Sequence, residues 1–213
     1  MTTMCGEAVA QWAVGLRGGW TTTTISRYDG GRMDEAYSSL GGMDVGLQCR
    51  YTFNDWLAMR VNLSFMQRSH RMDRNLNYLN PVYTEHINNY LMLPVVADFS
   101  FGGERLRGHF LAGAYGGYWL SERRRGTTYW MTDYYVYFEP FDEPREFTDE
   151  DIRLNSGVAF GAALSYVPVG KWEVGVDLMY YYDLTSHHQG YANLADPRYL
   201  NTLSLTVSVN YNL

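Results

Sequence analysis

The sequence has no run of 18 apolar residues, although 46% of its 213 residues are hydrophobic. A membrane-spanning helix is therefore excluded, because such a helix needs about 20 predominantly apolar residues. The sequence also contains very little lysine: Lys171 is the only one, so arginine supplies nearly all of the positive charge. The formal net charge of −6 argues against a nucleic-acid partner.

Cysteine is equally scarce, since Cys5 and Cys49 are the only two. This number excludes a disulfide framework and a cysteine-based metal site, and the sequence predicts no cofactor. Residues 8–10 read Ala-Val-Ala, a small-residue pattern typical of the end of a secretory signal peptide. We expect residues 1–10 to be a signal-peptide remnant or a disordered N-terminus, and the mature protein to begin near Gln11. A chance run of small residues is the alternative.

Alternation of apolar and polar residues is the dominant pattern in the sequence, and it is clearest in residues 201–213. Leucine, valine and tyrosine occupy every second position there, and threonine, serine and asparagine lie between them. This period of two predicts a strand with one apolar and one polar face. Seven similar segments precede it. The eight predicted strands are residues 11–21, 42–53, 56–67, 89–101, 106–121, 154–167, 172–184 and 201–213.

The connections between these segments alternate strictly between long and short. The long ones are residues 22–41, 68–88, 122–153 and 185–200; the short ones are 54–55, 102–105 and 168–171. Short turns at one end and long loops at the other are the layout of an outer-membrane barrel. We predict an all-β fold over residues 11–213: an eight-stranded antiparallel up-and-down transmembrane β-barrel with four long extracellular loops.

A soluble lipocalin-like barrel is the main alternative, because it also has eight up-and-down strands. Its polar face would point to water and carry many lysine and glutamate residues. The polar face here is small, glycine-rich and sparsely charged, which suits the narrow lumen of an eight-stranded barrel. Aromatic residues gather near both ends of the segments, as at the two interfaces of a membrane. We therefore place the protein in the outer membrane of a Gram-negative bacterium, in contact with lipid.

The few charges on the polar face include both signs, and buried charges must pair. They are Arg17, Asp44, Arg50, Arg60, Asp98, Glu173 and Asp177. We predict a closed ion-pair network that plugs the lumen. The alternative is a charged lining of a small-solute pore.

The third long connection is the most distinctive surface, with nine acidic residues and five arginines between Glu122 and Arg153. Tyrosine and tryptophan give large amphipathic contact areas that suit binding to proteins or glycans. The predicted binding surface comprises Tyr129, Trp130, Tyr134, Tyr135, Tyr137, Phe138, Phe141 and Phe147. The alternative is that these rings only pack a strand extension above the membrane, because residues 127–138 have strand-like composition.

Candidate catalytic groups are few. Ser186, His187 and His188 lie in the fourth long connection, and His70 and His86 lie in the second. A lipid hydrolase would need a serine, a histidine and an acid close together. No spacing here is specific to that arrangement, and adjacent histidines in a polar loop are typically solvated. We predict no enzyme, no catalytic residue and no metal site.

Three segments give the sequence a family resemblance: residues 90–98 (YLMLPVVAD), 111–118 (LAGAYGGY) and 203–213 (LSLTVSVNYNL). With the alternation throughout, they resemble the PorT-like and OmpA-like branches of small outer-membrane β-barrel proteins, often grouped as the porin family. The resemblance covers nearly the whole chain from Gln11. It implies an outer-membrane location and suggests a secretion-associated role.

These observations together predict a plugged barrel that is a structural or interaction component of an envelope or secretion complex. It would contact a protein partner through its extracellular loops. A small-solute porin is the first alternative, and a lipid-modifying enzyme is the second.

Overall fold

The computed structural model describes eight stretches of the chain. They are residues 11–27, 35–74, 82–103, 105–133, 135–148, 151–168, 170–185 and 198–213. The predicted signal-peptide remnant, residues 1–10, lies outside them. Within the described stretches, no helix is long and apolar enough to cross a membrane.

Strands make up almost all of the described chain, as the alternating pattern predicts. They are β1 (Gln11–Arg27), β2 (Glu35–Asn54), β3 (Leu57–Gln67), β4 (His70–Arg74), β5 (Val82–Gly102), β6 (Leu106–Met131), β7 (Val136–Arg145), β8 (Leu154–Tyr166), β9 (Trp172–Asp183) and β10 (Arg198–Asn212). Neighbouring strands pair antiparallel throughout, for example β5 with β6 and β8 with β9.

The strands close into a ring because the first pairs with the last. Val14 in β1 lies opposite Cys49 of β2 on one side and Tyr211 of β10 on the other. The ring runs β1, β2, β3, β5, β6, β8, β9, β10. β4 pairs with both β2 and β5, so it continues the position of β3 above Ser69. The predicted eight-stranded barrel is confirmed, with β4 and β7 as additional strands. Closure removes the open edges that hydrocarbon would not tolerate.

The strands are longer than predicted, and much of three predicted loops is strand. β1 continues to Arg27, β2 begins at Glu35, and β6 continues to Met131, with its last ten residues paired to β7. The described parts of the predicted connections 22–41, 68–88 and 122–153 are therefore mostly paired backbone, while residues 186–197 of the fourth lie outside the description. The physical reason is that the outward face of a strand above the membrane meets water instead of lipid. The alternation then fades although backbone pairing continues.

The two faces of the barrel wall are those that the sequence predicts. In β10, Leu205 and Val207 are 50% and 52% exposed, whereas Ser204 and Thr206 are 0% and 1% exposed. Outward aromatic rings form a belt at the short-turn end, where Trp12 contacts Tyr51 at 4.7 Å between ring centroids. At the opposite end, Trp20, Tyr118 and Tyr182 also face outward. An apolar outside between aromatic belts suits lipid rather than water.

Candidate functional site: the barrel lumen and the β6–β7 hairpin

The seven charged residues predicted to face inward are all buried in the lumen, and they pair in three separate groups. Near the short-turn end, Arg50 donates two hydrogen bonds of 2.6 Å to the two carboxylate oxygens of Glu173. Because Arg50 lies on β2 and Glu173 on β9, this bidentate pair joins strands that are not neighbours in the wall.

The second group is centred on Arg60, which lies opposite Arg50 on the neighbouring strand β3. Its guanidinium donates to Asp177 at 2.7 Å and to Asp98 at 2.6 Å. The third group is separate: Arg17 donates to Asp44 at 2.9 Å. The sequence therefore predicted which residues face inward, whereas the structure decides that they form three groups rather than one network.

The Arg60 group includes two side chains that the sequence analysis did not select. His109 Nδ1 lies 2.7 Å from Asp98 Oδ1, and His109 Nε2 lies 2.9 Å from Ser165 Oγ. A serine, a histidine and an aspartate in this order resemble a catalytic triad. However, Asp98 also binds Arg60, and Ser165 is buried, with only 5% of its surface exposed. The alternation offered a signal for both residues, because both lie on inward positions of their strands.

Arg68 is fully buried, although it lies in the predicted long connection 68–88. It donates to Asp183 at 2.6 Å and to Thr202 at 2.8 Å, and it also bonds to the carbonyl oxygen of Leu200. Its guanidinium lies 5.4 Å from the centre of the Tyr90 ring. Every second residue from Arg60 to Met66 faces inward, and position 68 follows at the same spacing. Extending the predicted strand by one residue would therefore have identified Arg68 as an inward residue.

Apolar side chains also form a buried cluster inside the barrel. The buried cluster comprises Met66, Tyr90, Met92, Val96, Leu111, Tyr115, Trp119, Ala159, Met179, Tyr181 and Leu200. Tyr115 also donates to Asp183, which links the apolar cluster to the Arg68 pair. The alternation placed Met92, Met179 and Tyr181 of this cluster on inward positions, but no role was predicted for the aromatic side chains in the lumen.

A β-bulge determines what closes the outer mouth of the barrel. Trp119 pairs with Tyr90 and Ser121 pairs with Asn89, so Leu120 is an extra residue in β6. The extra residue reverses the alternation, so Trp119 and Glu122 both face inward, at 5% and 4% exposure. A simple period of two would have turned Glu122 outward.

Glu122 is the centre of an ion-pair cluster at the mouth. It accepts hydrogen bonds from Arg124 and Arg145, both at 2.8 Å, and its Oε1 lies 2.7 Å from His86 Nδ1. Burial raises the pKa of the Glu122 carboxyl, but these three hydrogen bonds outweigh burial and lower the pKa to about 2. Arg145 also binds Asp151 at 2.6 Å, which ties the segment after β7 to the rim.

The predicted binding surface is divided by the pairing of β6 with β7. Tyr129 lies opposite Phe138 on one face of this hairpin, and Trp130 lies opposite Tyr137 on the other. Tyr135 is 67% exposed, and its ring lies 6.2 Å from that of Tyr137.

The other three residues of the predicted surface differ in placement. Tyr134 lies outside the described residues. Phe147 does not join the hairpin surface but packs against Trp119 in the mouth of the lumen, with 4.9 Å between ring centroids. Phe141 lies opposite Gly126 on the same face as Trp130, and it is only half-buried. The rings near the base of the hairpin therefore pack, as the alternative suggested, while those near the tip are largely exposed.

The candidate catalytic histidines are only partly described. His70 and His86 lie opposite each other on β4 and β5, and their rings stack at 4.6 Å. Ser186, His187 and His188 lie outside the described residues. Among the residues that the structure does describe, no three or more histidine, cysteine, aspartate or glutamate side chains are arranged to hold a metal ion.

A closed antiparallel barrel with a lipid-suited exterior and a polar, charge-paired lumen defines an integral outer-membrane β-barrel protein. The chain matches the family described as "Outer membrane protein beta-barrel domain" over residues 7–189, and it belongs to that family. It is accordingly a protein of the Gram-negative outer membrane, embedded in lipid. No curated protein matches the chain.

Solved structures of outer-membrane barrels share its fold. The outer membrane protein OprG of Pseudomonas aeruginosa is 10% identical with a TM-score of 0.53, and 98% of each chain is covered. The outer membrane protease OmpT of Escherichia coli is 9% identical with a TM-score of 0.56, and 100% of each chain is covered. Ail of Yersinia pestis is 16% identical with a TM-score of 0.43, covering 94% of this chain and 99% of Ail. At these identities the likeness concerns the fold alone.

Proposed function

We propose that this protein is a barrel with a plugged lumen, which anchors the β6–β7 hairpin outside the membrane for contact with a protein partner of the cell envelope. The observation that carries the proposal is the exposure of aromatic side chains where lipid cannot cover them. The resemblance to PorT-like proteins makes a secretion complex one version of this role.

The height of the hairpin supports the proposal. The membrane-spanning part of β6 ends near Leu120, whose side chain faces outward below the rim. Trp130 follows ten residues later, which corresponds to roughly 30 Å of strand at about 3.3 Å per residue. Trp130 is 64% exposed and Tyr137 is 56% exposed. Exposed aromatic clusters beyond the reach of lipid are typical of protein interaction sites.

The edge of β7 supports contact through side chains rather than through strand addition. β7 pairs only with β6 in the described part of the chain, so its other edge is open. Pro140 and Pro144 occupy equivalent positions four residues apart and have no N–H to donate. Prolines on an edge strand hinder pairing with another chain.

The plugged lumen is supported by the filling described above. Four buried arginines, Arg17, Arg50, Arg60 and Arg68, bind carboxylates inside the ring, and aromatic residues occupy the level above. An eight-stranded barrel has an interior that side chains just fill. We expect no steady ohmic conductance from reconstituted protein, and a steady conductance would favour the porin alternative instead.

The partner contact is testable with a hairpin-shortened variant. Residues 127–140 would be replaced by Asn-Gly, because Gly126 and Phe141 are already paired and can be joined by a two-residue turn. This change retains Glu122, Arg145 and Phe147 at the mouth. We expect normal heat-modifiable folding and loss of the proteins that co-purify with the intact chain from native membranes.

A photo-crosslinking amino acid at Tyr137 identifies the partner directly, and the same amino acid at lipid-facing Leu164 is the matched control. A protein adduct formed from Tyr137 but not from Leu164 supports the proposal. If the shortened variant keeps every co-purifying protein, the hairpin is not the contact surface.

A lipid-modifying enzyme is the second alternative. We predict no enzymatic activity, and therefore no catalytic role for Ser186 and His187. The likeness to OmpT adds no argument, because it concerns the fold alone. Substitution of Ser186 and His187 by alanine should leave the lipid composition of the outer membrane unchanged. A changed lipid profile would favour the lipid-modifying alternative.

A further inference from the structure

Arg153 has an unusual environment at the point where β8 leaves β6. Its Nε donates to the carbonyl oxygen of Trp119 at 3.1 Å, and its Nη2 lies 3.5 Å from that of Leu120. The guanidinium also lies between two rings, 4.6 Å from the centre of Tyr118 and 4.5 Å from that of Phe147. These contacts hold the side chain in one position at the outer edge of the barrel wall.

The unusual feature is that no carboxylate of the described residues accompanies this cation. Every arginine inside the lumen binds a carboxylate, and Arg145 at the mouth binds two. Arg153 forms no ion pair within 4.0 Å in the described part of the chain, and its hydrogen bonds there come from Nε and Nη2. Arg107 also lacks a carboxylate among the described residues, but it lies at the opposite, short-turn end, beside Gly103.

The height of Arg153 indicates which anion is available. Tyr118, which it covers, faces outward in the outer aromatic belt and is 38% exposed. Aromatic belts mark the level of the lipid headgroups. A guanidinium at the edge of hydrocarbon is costly unless an anion pairs with it. The planar fork of arginine also matches the oxygens of a phosphate group.

The outward residues of β6 that follow its contact with Arg153 are polar. Ser121 comes directly after Leu120, is exposed, and its hydroxyl accepts a hydrogen bond of 3.0 Å from Asn89. Arg123 faces outward two residues further along β6, where Asp142 already binds it. We infer that Arg153 forms a binding site for a phosphate group of a glycolipid in the outer leaflet. This inference is independent of the partner proposed for the hairpin.

The test measures lipid retention on folded protein in mild detergent by native mass spectrometry. The probes are bisphosphorylated lipid A and the same lipid A after enzymatic removal of its phosphates. The wild-type protein should retain the phosphorylated lipid about tenfold more strongly, as expected when one charge-assisted hydrogen-bonded contact is lost. Arg153→Gln should abolish this difference, and Arg153→Lys should retain part of it because the charge remains.

Arg123→Gln is the matched control, since Arg123 faces the same surface but is already paired, and it should behave as the wild type. Inorganic phosphate at high concentration distinguishes the sources: competition that releases the lipid supports a phosphate site. If the wild-type protein retains both forms of lipid A equally, the inference is overturned, whether or not the Arg153 variants fold. Equal losses in Arg123→Gln and Arg153→Gln would also overturn it, because they would indicate only nonspecific charge attraction.

Discussion

The sharpest test of the filled lumen is the buried pair formed by Arg68 and Asp183. Both side chains are 0% exposed, and the ion pair is 2.6 Å long. Arg68→Met leaves Asp183 buried without its cation, and breaking a buried pair in this way typically costs about 3–5 kcal/mol. Asp183→Asn should also be destabilising, because it leaves the guanidinium without its anion.

The double variant should lose much less unfolding free energy than the sum of the losses in the two single variants. Tyr115 and Asn155 donate hydrogen bonds to Asp183 in the wild-type protein. The asparagine that replaces Asp183 can still bond both, because its oxygen can accept from Asn155 and its amide nitrogen can donate to the Tyr115 hydroxyl oxygen. The methionine and the asparagine of the double variant carry no uncompensated charge, so we expect a coupling energy of at least about 2 kcal/mol.

The assay is urea unfolding in lipid vesicles, followed by tryptophan fluorescence and by heat-modifiable migration on gels. The control cycle uses Arg123→Met and Asp142→Asn, which break an exposed pair and should change stability little. Additivity of the Arg68 and Asp183 effects within about 0.5 kcal/mol would show that the two groups are not coupled, and would refute the reasoning.

Three further predictions concern the wall and the mouth. Val207→Arg, on the lipid face near mid-membrane, should cost about 2–4 kcal/mol in urea unfolding, whereas Val207→Leu should be neutral; a tolerated arginine contradicts the lipid assignment. Cys49, which also faces outward, should react in the folded protein with a lipid-soluble maleimide but not with a charged one. Glu122 has a lowered pKa, so its stabilisation of the mouth is complete above pH 4.5 and is lost as the pH falls towards 2. Hydrogen exchange at residues 145–148 should report this loss, and Glu122→Gln should remove the pH dependence.

Much of the barrel could be predicted from the sequence because the membrane imposes the alternation on it. Lipid on one side and a narrow lumen on the other require a strict period of two, as in β10. The same rule identified the inward charges, such as Arg50 and Asp98. The period of two ends where the membrane ends, so the extensions of β1, β2 and β6 were predicted as loops.

Pairing partners depended on the tertiary structure, since register and curvature determine which inward side chains meet. Arg50 contacts Glu173 across the ring, and nothing in the spacing of these two residues indicates that contact. One extra residue, Leu120, reverses the alternation so that the side chain of Glu122 faces inward at the mouth of the barrel.

The sequence by itself therefore determined the class of fold, the membrane location and the two faces of each strand, because these follow from local periodicity in a lipid environment. Only the tertiary structure decided which buried charges pair, which rings face the lumen, and that Arg153 lies against Tyr118 without a carboxylate from the described chain. These features depend on contacts between residues that are distant in the chain, and local periodicity carries no information about them.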